Sequence, residues 1–136
     1  MAKTKKVDYT YAVGRRRTAV ARVRVFRGKG ENTINGKEFS KYFEGGIAKK
    51  LIAKPFGVTE TSDKYYFSAR VVGGGKNSQL EAVILGISRC LSKISPEKNN
   101  PLLRKMSLLT RDGRERQRRM VGKGGKSRRK KQSPKR

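Results

Sequence analysis

Residues 64–94 read KYYFSARVVGGGKNSQLEAVILGISRCLSKI, a segment that contains two different periods. Aromatic and apolar residues first occupy alternate positions, and this period of two predicts a β-strand over residues 64–72. After the three glycines, apolar residues return every three or four positions, which predicts a long helix. Ser78 and Glu81 have the spacing of a capping box at its start, and Pro96 is expected to end it. Because the apolar face is broad, we expect this helix to lie across a sheet.

The residues before this segment predict further strands. Residues 9–13 alternate aromatic or apolar with small or polar side chains, which indicates a first strand. The clearest strand covers residues 19–26, where one face is all Ala and Val and the other carries two arginines. We expect the first face to pack on a core and the second to face solvent or RNA. A short return strand at residues 33–34 is expected to end in the turn Asn35-Gly36.

The remaining periodic segments predict short helices. Residues 37–43 have a helical period, a second helix is expected over residues 46–54, and Asn100-Pro101 is typical of the start of another. The predicted apolar stripe of the second helix consists of Ile47, Ala48, Leu51 and Ile52. Together these elements predict one α+β domain over residues 1–110, with residues 1–6 frayed. In this domain a small, mainly antiparallel sheet carries helices packed on one face.

The last 26 residues, 111–136, read RDGRERQRRMVGKGGKSRRKKQSPKR, and thirteen of them are Lys or Arg. Only Met120 and Val121 are apolar enough to enter a core. Such a segment cannot bury enough apolar surface to offset the entropy of ordering it. We therefore predict an extended basic tail that is disordered unless it is bound to RNA. Neutralising phosphates releases counterions, so a polyanion could order it. The other interpretation is a solubilising or targeting tail.

Positive charge extends over the whole chain, whose formal net charge is +26. Ten Lys and Arg lie in residues 1–30, thirteen in residues 31–110 and thirteen in the tail. A protein with basic charge on its body as well as on its arm is expected to be surrounded by nucleic acid. We expect no membrane partner, because no apolar run approaches the roughly 18 residues needed to span a bilayer. The first ten residues contain no apolar core of a secretory signal.

Residues suited to catalysis are scarce. The chain has no histidine, so the commonest general base and the usual metal ligand are missing. The single cysteine, Cys90, excludes an internal disulfide and is interpreted as a small buried apolar residue. Residues 122–127, GKGGKS, end like a phosphate-binding loop, but Met120 stands where that motif needs glycine. We therefore predict no enzyme activity, no metal or other cofactor and no small-molecule substrate.

Two clusters near the strand ends are candidate contacts for RNA phosphates. Arg15, Arg16 and Arg17 follow the first predicted strand, and arginine suits bidentate phosphate contacts. Residues 73–75 are three glycines followed by Lys76. They allow a sharp turn from strand to helix, and bare amides at a helix N-terminus can also hold a phosphate, so both interpretations stay open.

The aromatic residues have two possible roles as well. They could be platforms on which bases stack, but packing on the sheet or in the core is the more usual role of alternating aromatics, and we favour it. The residues concerned are Tyr9, Tyr11, Tyr65, Tyr66 and Phe67.

Three separated motifs resemble one known family. They are GRRRTAVARV at residues 14–23, VVGGG followed by a helix with GISRCL over residues 71–91, and LLTRDGR at residues 108–114. The chain also ends in Lys135-Arg136. In this order the motifs resemble the ninth protein of the small ribosomal subunit, of the bacterial type. The resemblance implies a fold like the second domain of the fifth small-subunit protein.

The same resemblance implies a function. It implies a structural constituent of the head of the small subunit, bound to small-subunit ribosomal RNA and to neighbouring head proteins during translation. The tail is expected to reach the peptidyl-site tRNA through Lys135 and Arg136. Arg111, Asp112 and Arg114 match the family's hinge into the tail. Such a protein works in the bacterial cytoplasm, or inside an organelle that encodes its own ribosomal proteins. The alternative function is a general RNA- or DNA-binding chaperone outside the ribosome.

The residues expected to bind ribosomal RNA are therefore basic side chains and glycines of both parts. In the domain they are Arg15, Arg16, Arg17, Arg22, Arg24, Gly73, Gly74, Gly75 and Lys76. In the tail they are Arg111, Arg114, Arg116, Arg118, Arg119, Lys123, Lys126, Arg128, Arg129, Lys130 and Lys131.

Overall fold

The computed structural model describes residues 7–122 and contains, in that range, five strands and four helices. The strands are β1 (Tyr9–Arg16), β2 (Ala19–Arg27), β3 (Thr33–Ile34), β4 (Lys37–Glu38) and β5 (Tyr65–Val72). The helices are α1 (Phe39–Tyr42), α2 (Gly46–Val58), α3 (Lys76–Ile94) and α4 (Pro96–Lys105). The α+β class is confirmed, and the sheet is mixed but mainly antiparallel, with one parallel pairing. The expectations for residues 1–6 and 123–136 lie outside the described residues.

The five strands lie in the order β1-β2-β5-β3-β4. β2 pairs antiparallel with both β1 and β5, whereas β3 pairs in parallel with β5. Two asparagine side chains extend this parallel pairing beyond the two residues of β3. The Phe67 amide donates to Asn32 Oδ1 at 3.1 Å, and the Val71 amide donates to Asn35 Oδ1 at 2.8 Å. The short β3 therefore covers more of the β5 edge than its own backbone could.

The hydrophobic core lies between the sheet and α3, which packs mainly on β1 and β2. The predicted inner face of β2 is confirmed, because all four of its residues are buried: Ala19, Ala21, Val23 and Val25. On α3, the buried side chains include Val83, Ile87 and Leu91. The apolar side chains that alternate along β2 therefore pack in one core with those spaced by three or four residues along α3.

Two glycines let α3 approach the sheet closely. A Cβ atom at Gly14 in β1 would overlap the carbonyl oxygen of Ala82 and lie 2.5 Å from the amide nitrogen of Gly86. A Cβ atom at Gly86 would lie 2.5 Å from Val23 Cγ2. Backbone therefore packs against backbone at this point, which side chains at either position would prevent.

The predicted capping box at the start of α3 is wrong. The helix begins at Lys76 with Gly75 as its N-cap, and no side chain caps it. The Glu81 carboxylate instead accepts a bond of 2.5 Å from Arg16 Nε, on a strand 65 residues earlier in the chain. Ser78 lies inside the first turn of α3 and so cannot be its N-cap, and Glu81 pairs with a distant arginine instead of a local backbone amide.

The segment between β3 and β5 differs from its prediction at both ends. Residues 37–38 form β4, so that α1 is shorter than the expected helix, and α2 continues through Pro55 to Val58. The extra turn of α2 buries Phe56, whose ring stacks on Phe67 at a centroid distance of 6.3 Å. Burial of an aromatic ring thus outweighs the local tendency of proline to end a helix.

The apolar stripe predicted for α2 is half right. Ala48 and Ile52 are buried, whereas Ile47 is 76% exposed and Leu51 is 40% exposed. At the other end of the domain, α4 begins at Pro96 and not at Asn100-Pro101. Asn99 is buried there and donates to the Leu91 carbonyl at 2.7 Å, which ties the first turn of α4 to the end of α3.

Candidate nucleic-acid interface

The face of the sheet that points away from α3 carries most of the basic side chains of the long strands. Its residues alternate in β1, β2 and β5 with those that point into the core. We call it the open sheet face, and it consists of Tyr9, Tyr11, Val13, Arg15, Val20, Arg22, Arg24, Phe26, Tyr66, Ser68, Arg70 and Val72. Four of these twelve residues are arginines and none is acidic. The face is therefore strongly electropositive.

The register of the strands aligns the side chains of this face in rows. Tyr9, Phe26 and Tyr66 form an aromatic row, with ring centroids 5.7 Å and 5.1 Å apart. In the next row Arg24 lies beside Tyr11, and its guanidinium carbon is 5.0 Å from the centroid of the Tyr9 ring. This contact is a cation–π interaction.

The middle of the open sheet face forms a shallow trough. The trough has a volume of about 830 Å³. Its walls include Tyr9 and Tyr11 on one side and Arg70 on the other, with Arg22 and Arg24 along its floor. The predicted contacts Arg22 and Arg24 are thus exposed side by side, and Arg70 joins them.

Sequence reasoning did not include Arg70 among the candidate contacts. The signal was available, because Arg70 occupies the polar face of the predicted strand over residues 64–72. What was missing was the pairing partner of that strand. Only the register, in which Arg22 lies directly opposite Arg70, brings the two residues together.

Arg16 has a different environment from its neighbours, since its side chain is only 11% exposed. Its guanidinium contacts Glu81 at 2.5 Å, donates to the Arg114 carbonyl at 2.8 Å and lies 3.5 Å from Asp112 Oδ2. Arg16 therefore connects β1, α3 and the first residues of the tail. We call these four residues the tail-root cluster.

Within the cluster, Asp112 is held as a carboxylate. Both Arg114 Nε and the Arg114 amide donate to it at 3.0 Å, and these bonds keep the pKa of Asp112 well below its ordinary value. The same pair raises the pKa of the Arg114 guanidinium. The residues predicted to form the hinge into the tail are thus held by side-chain contacts, and Arg16 joins two of them to β1. Arg15 and Arg17, by contrast, are exposed beside it.

The turn at residues 73–75 serves a structural purpose. Gly73 and Gly74 adopt φ values of 76° and 62°, and a Cβ atom at Gly73 would lie 2.5 Å from the Thr18 carbonyl. The ammonium of Lys76 lies 3.5 Å from the centroid of the Tyr42 ring and donates to the Tyr42 carbonyl at 3.3 Å. The turn therefore needs glycine for its conformation, and Lys76 is held against an aromatic ring.

The described part of the tail contains no helix or strand between residues 111 and 122. Arg111 is half-buried, whereas Arg116, Arg118 and Arg119 are exposed. The remaining candidates lie outside the described residues: Lys123, Lys126, Arg128, Arg129, Lys130, Lys131, Lys135 and Arg136.

A candidate metal centre is absent from residues 7–122. That range has no group of three His, Cys, Asp or Glu side chains able to hold a metal ion, and none of its helices is long and apolar enough to cross a bilayer. Cys90 is fully buried, as expected, and its thiol lies 3.5 Å from the Thr10 carbonyl. Burial raises the pKa of that thiol to about 12, so it is poorly suited to act as a nucleophile.

Comparison with known families identifies the chain. A family model described as ribosomal protein S9/S16 matches residues 14–136. The chain belongs to the ribosomal protein S9/S16 family. All three motifs noted in the sequence lie inside the matched range, so the resemblance is confirmed.

Curated relatives support the same assignment. The small ribosomal subunit protein uS9 of Leifsonia xyli subsp. xyli is 43% identical over 111 residues, which are 82% of this chain and 66% of the relative. The uS9 proteins of Maridesulfovibrio salexigens and Lawsonia intracellularis are 40% and 42% identical over 87% and 85% of this chain. Those two alignments cover 90% and 88% of the relatives. The chain thus spans nearly all of some relatives and just under two thirds of another.

Proposed function

We propose that this chain is a structural component of the small ribosomal subunit and binds small-subunit ribosomal RNA. The observation that carries the proposal is the family match over residues 14–136. The relatives are named as proteins of that subunit. The open sheet face and the exposed tail arginines supply the positive charge that such a role needs.

The two parts of the chain have different tasks in this proposal. The domain over residues 1–110 supplies shape and a rigid electropositive face, which positions the protein on folded RNA. The tail over residues 111–136 follows the RNA backbone and orders as its charges are neutralised. At its end, Lys135 and Arg136 contact peptidyl-site tRNA through phosphates, without reading the anticodon sequence. The domain lies in the head of the subunit, beside other head proteins.

Arg16 acts within this proposal as a positioning residue. Its guanidinium already binds Glu81, Asp112 and the Arg114 carbonyl, so its contribution to RNA binding is to direct the root of the tail. Arg15, Arg17, Arg22 and Arg24 are the domain arginines that contact RNA phosphates directly. In the tail, Arg116, Arg118 and Arg119 begin the series of phosphate contacts.

The role is structural and not catalytic. RNA binding of this kind needs shape complementarity and many phosphate contacts, neither of which requires an acid, a base or a metal. The protein works where such ribosomes assemble, in the bacterial cytoplasm or inside an organelle that encodes its own ribosomal proteins.

Sedimentation tests the proposal directly. Lysate that contains the tagged full chain is separated on a gradient at low salt and again after a high-salt wash. We expect the chain to migrate with the small subunit at about one copy per particle and to survive the wash. Distribution over RNA of all sizes, with loss in salt, would instead identify a general RNA-binding chaperone. Counter-ion release predicts that purely electrostatic binding weakens steeply with salt.

A further inference from the structure

The open sheet face carries a charge arrangement that costs stability in the free protein. Arg22 and Arg70 are directly opposite on neighbouring strands, and like charges in that position repel. Within the described residues no carboxylate forms an ion pair with Arg22, Arg24 or Arg70. Residues 1–6 and 123–136 contain no Asp or Glu at all. The chain's own acidic side chains therefore do not relieve the repulsion, but an external polyanion would.

The same face also exposes aromatic rings. Tyr9 is 49% exposed and Tyr11 is 41% exposed, and both lie in β1, which forms a hairpin with β2. Phe26 and Tyr66, in the same row, are half-buried, and Gly30 approaches the Tyr66 ring closely. Two exposed tyrosines beside three arginines combine the features of sites for single-stranded nucleic acids, where bases stack and phosphates pair.

The spacing of the two tyrosines selects the form of nucleic acid. They are two residues apart on one strand, which separates their Cα atoms by about 6.8 Å. Stacked bases in a regular strand are only about 3.4 Å apart, so neighbouring bases would have to separate in order to use both rings. A double helix keeps its base faces inside the stack and cannot offer them.

We propose that the open sheet face binds unpaired nucleotides, whose bases stack on Tyr9 and Tyr11 while Arg22, Arg24 and Arg70 bind the adjoining phosphates. This inference rests on the proposed function, because it identifies the kind of RNA segment that the domain takes. Arg24 is within reach of this site, since its guanidinium carbon lies 5.0 Å from the centroid of the Tyr9 ring, and it would exchange that ring for the phosphate of the stacked nucleotide. A helix of a neighbouring protein would be the other occupant of a sheet face. The four arginines of the face form no ion pair with a carboxylate within residues 7–122, which favours phosphate.

The first experiment uses the intrinsic fluorescence of the full chain. All five tyrosines lie in the domain and none in the tail, so binding of RNA by the tail alone leaves their environment unchanged. We expect a single-stranded octauridylate to quench tyrosine emission, because a stacked base contacts the ring. Inorganic polyphosphate and a short RNA duplex should bind through charge without comparable quenching. Equal quenching by all three probes would overturn the proposal.

The second experiment uses matched variants, with octauridylate binding followed by the backbone amide resonances of β1, β2 and β5. Replacing both Tyr9→Leu and Tyr11→Leu should weaken binding at this face on the order of tenfold or more, since each stacked base is lost. The pair Tyr9→Phe and Tyr11→Phe retains the rings and should bind within about twofold of the native chain. Amide spectra without octauridylate report any loss of folding caused by the leucines.

The arginines are tested against a control pair of equal charge. Arg22→Gln with Arg70→Gln should weaken binding at this face and raise the midpoint of thermal unfolding, because the opposed charges are gone. Lys49→Gln with Lys50→Gln, on α2, removes the same charge elsewhere and should do neither. Equal effects of the two pairs would show that only overall charge matters, and the proposal would fail.

The outcomes separate this inference from the proposed function. If the native chain sediments with the small subunit but octauridylate shifts no resonance of the sheet, the ribosomal role stands and the stacking site is wrong. If cross-linking in the particle joins Tyr9 or Tyr11 to a protein, the face is a protein interface and the proposal is likewise wrong. If the sheet binds octauridylate as expected while the chain does not enter the particle, the ribosomal role is the part that fails.

Discussion

Gly14 lies at a close approach of β1 to α3, and its missing side chain allows the two backbones to pack against each other. Replacement by alanine places a Cβ atom against the Ala82 carbonyl and the Gly86 amide, neither of which can move as a side chain would. We expect Gly14→Ala to lower the free energy of unfolding by about 1–3 kcal/mol or more, as overpacked cores do.

Denaturant unfolding measures the Gly14 effect, and Gly57→Ala is the control. Gly57 lies in α2, where an added Cβ atom would meet nothing within 4 Å, so alanine there should be neutral or slightly stabilising. Equal behaviour of the two variants would mean that β1 and α3 do not approach as closely as described.

Leu91 is a second residue whose role follows from its position alone. It is fully buried on the inner side of α3, near the start of α4. Truncation to alanine leaves a cavity, and we expect Leu91→Ala to lower the free energy of unfolding by about 2–5 kcal/mol. Ile47→Ala, at a side chain that is mostly exposed on α2, should change it by less than about 0.5 kcal/mol. A loss below about 1 kcal/mol at Leu91 would contradict the packing of α3.

At the scale of elements, the tail-root cluster joins parts of the chain that are far apart in sequence. Arg16 is at the end of β1, Glu81 is in the first turns of α3, and Asp112 and Arg114 begin the tail. The tail therefore leaves the domain in a direction set by the sheet and by α3. A basic arm with a fixed starting direction loses less conformational entropy on binding than one that is free at its root.

The cluster predicts how the tail root responds to mutation. Arg16→Gln removes the contacts to both carboxylates, so the backbone of residues 112–115 should become more mobile, with lower ¹⁵N order parameters. Stability of the domain should fall by only about 1 kcal/mol, because the partners remain partly exposed to water. Arg15→Gln removes the same charge one residue earlier and should leave the order parameters unchanged. Similar mobility in both variants would argue against the cluster.

The pH dependence of order at the tail root tests the contact between Arg16 and Asp112. The bonds from Arg114 lower the pKa of Asp112 below the ordinary value of 3.8. Because the contact lowers the pKa of Asp112, its stabilising effect is complete at pH values above the ordinary pKa. The effect is lost as the pH falls through the lowered pKa. The tail root should therefore keep its order at about pH 5 and lose it only below pH 3.8. Release already at about pH 5 would contradict this assignment.

At the scale of the whole molecule, the buried core side chains lie within residues 12–103, whereas half of the last 26 residues are Lys or Arg. Residues 123–136 contain eight Lys and Arg and no large apolar side chain that could enter a core. We expect their deletion to leave cooperative thermal unfolding intact. RNA affinity should become less dependent on salt, with a loss of up to about 0.7 in slope for each phosphate contact removed. Loss of cooperative unfolding would show that the tail belongs to the folded unit.

The last residue tests the proposed tRNA contact. Arg136→Ala should weaken the binding of peptidyl-site tRNA to small subunits mildly, because one phosphate contact is lost. Assembly of the subunit should not change. Lys105→Ala, which removes one charge at the end of α4, serves as the control. Unchanged tRNA affinity in the Arg136 variant would count against a contact at the tip.

The sequence predicted those features that depend only on residues close together along the chain. The alternation in β2 and the three-and-four spacing in α3 both follow from burial of one face, and each was confirmed. The capping box at Ser78 and the end of α2 at Pro55 were wrong, because a distant arginine and a distant aromatic ring outweighed the local preference. The candidate site followed the same division. The arginines that are close in sequence were visible as clusters, whereas the pairing of Arg22 with Arg70 and the contact of Arg16 with Asp112 were not.

The sequence by itself determined that the protein is basic throughout, contains no histidine and has periodic apolar segments before a strongly charged end. Composition and period carry these properties, and neither depends on the partner of any strand. Only the tertiary structure decided that Arg22 lies against Arg70, that Tyr9 and Tyr11 line one trough, and that Arg16 turns away to hold the tail. Strand register and helix placement bring together residues that are 48 to 98 positions apart, and local physical preferences carry no information about such distances.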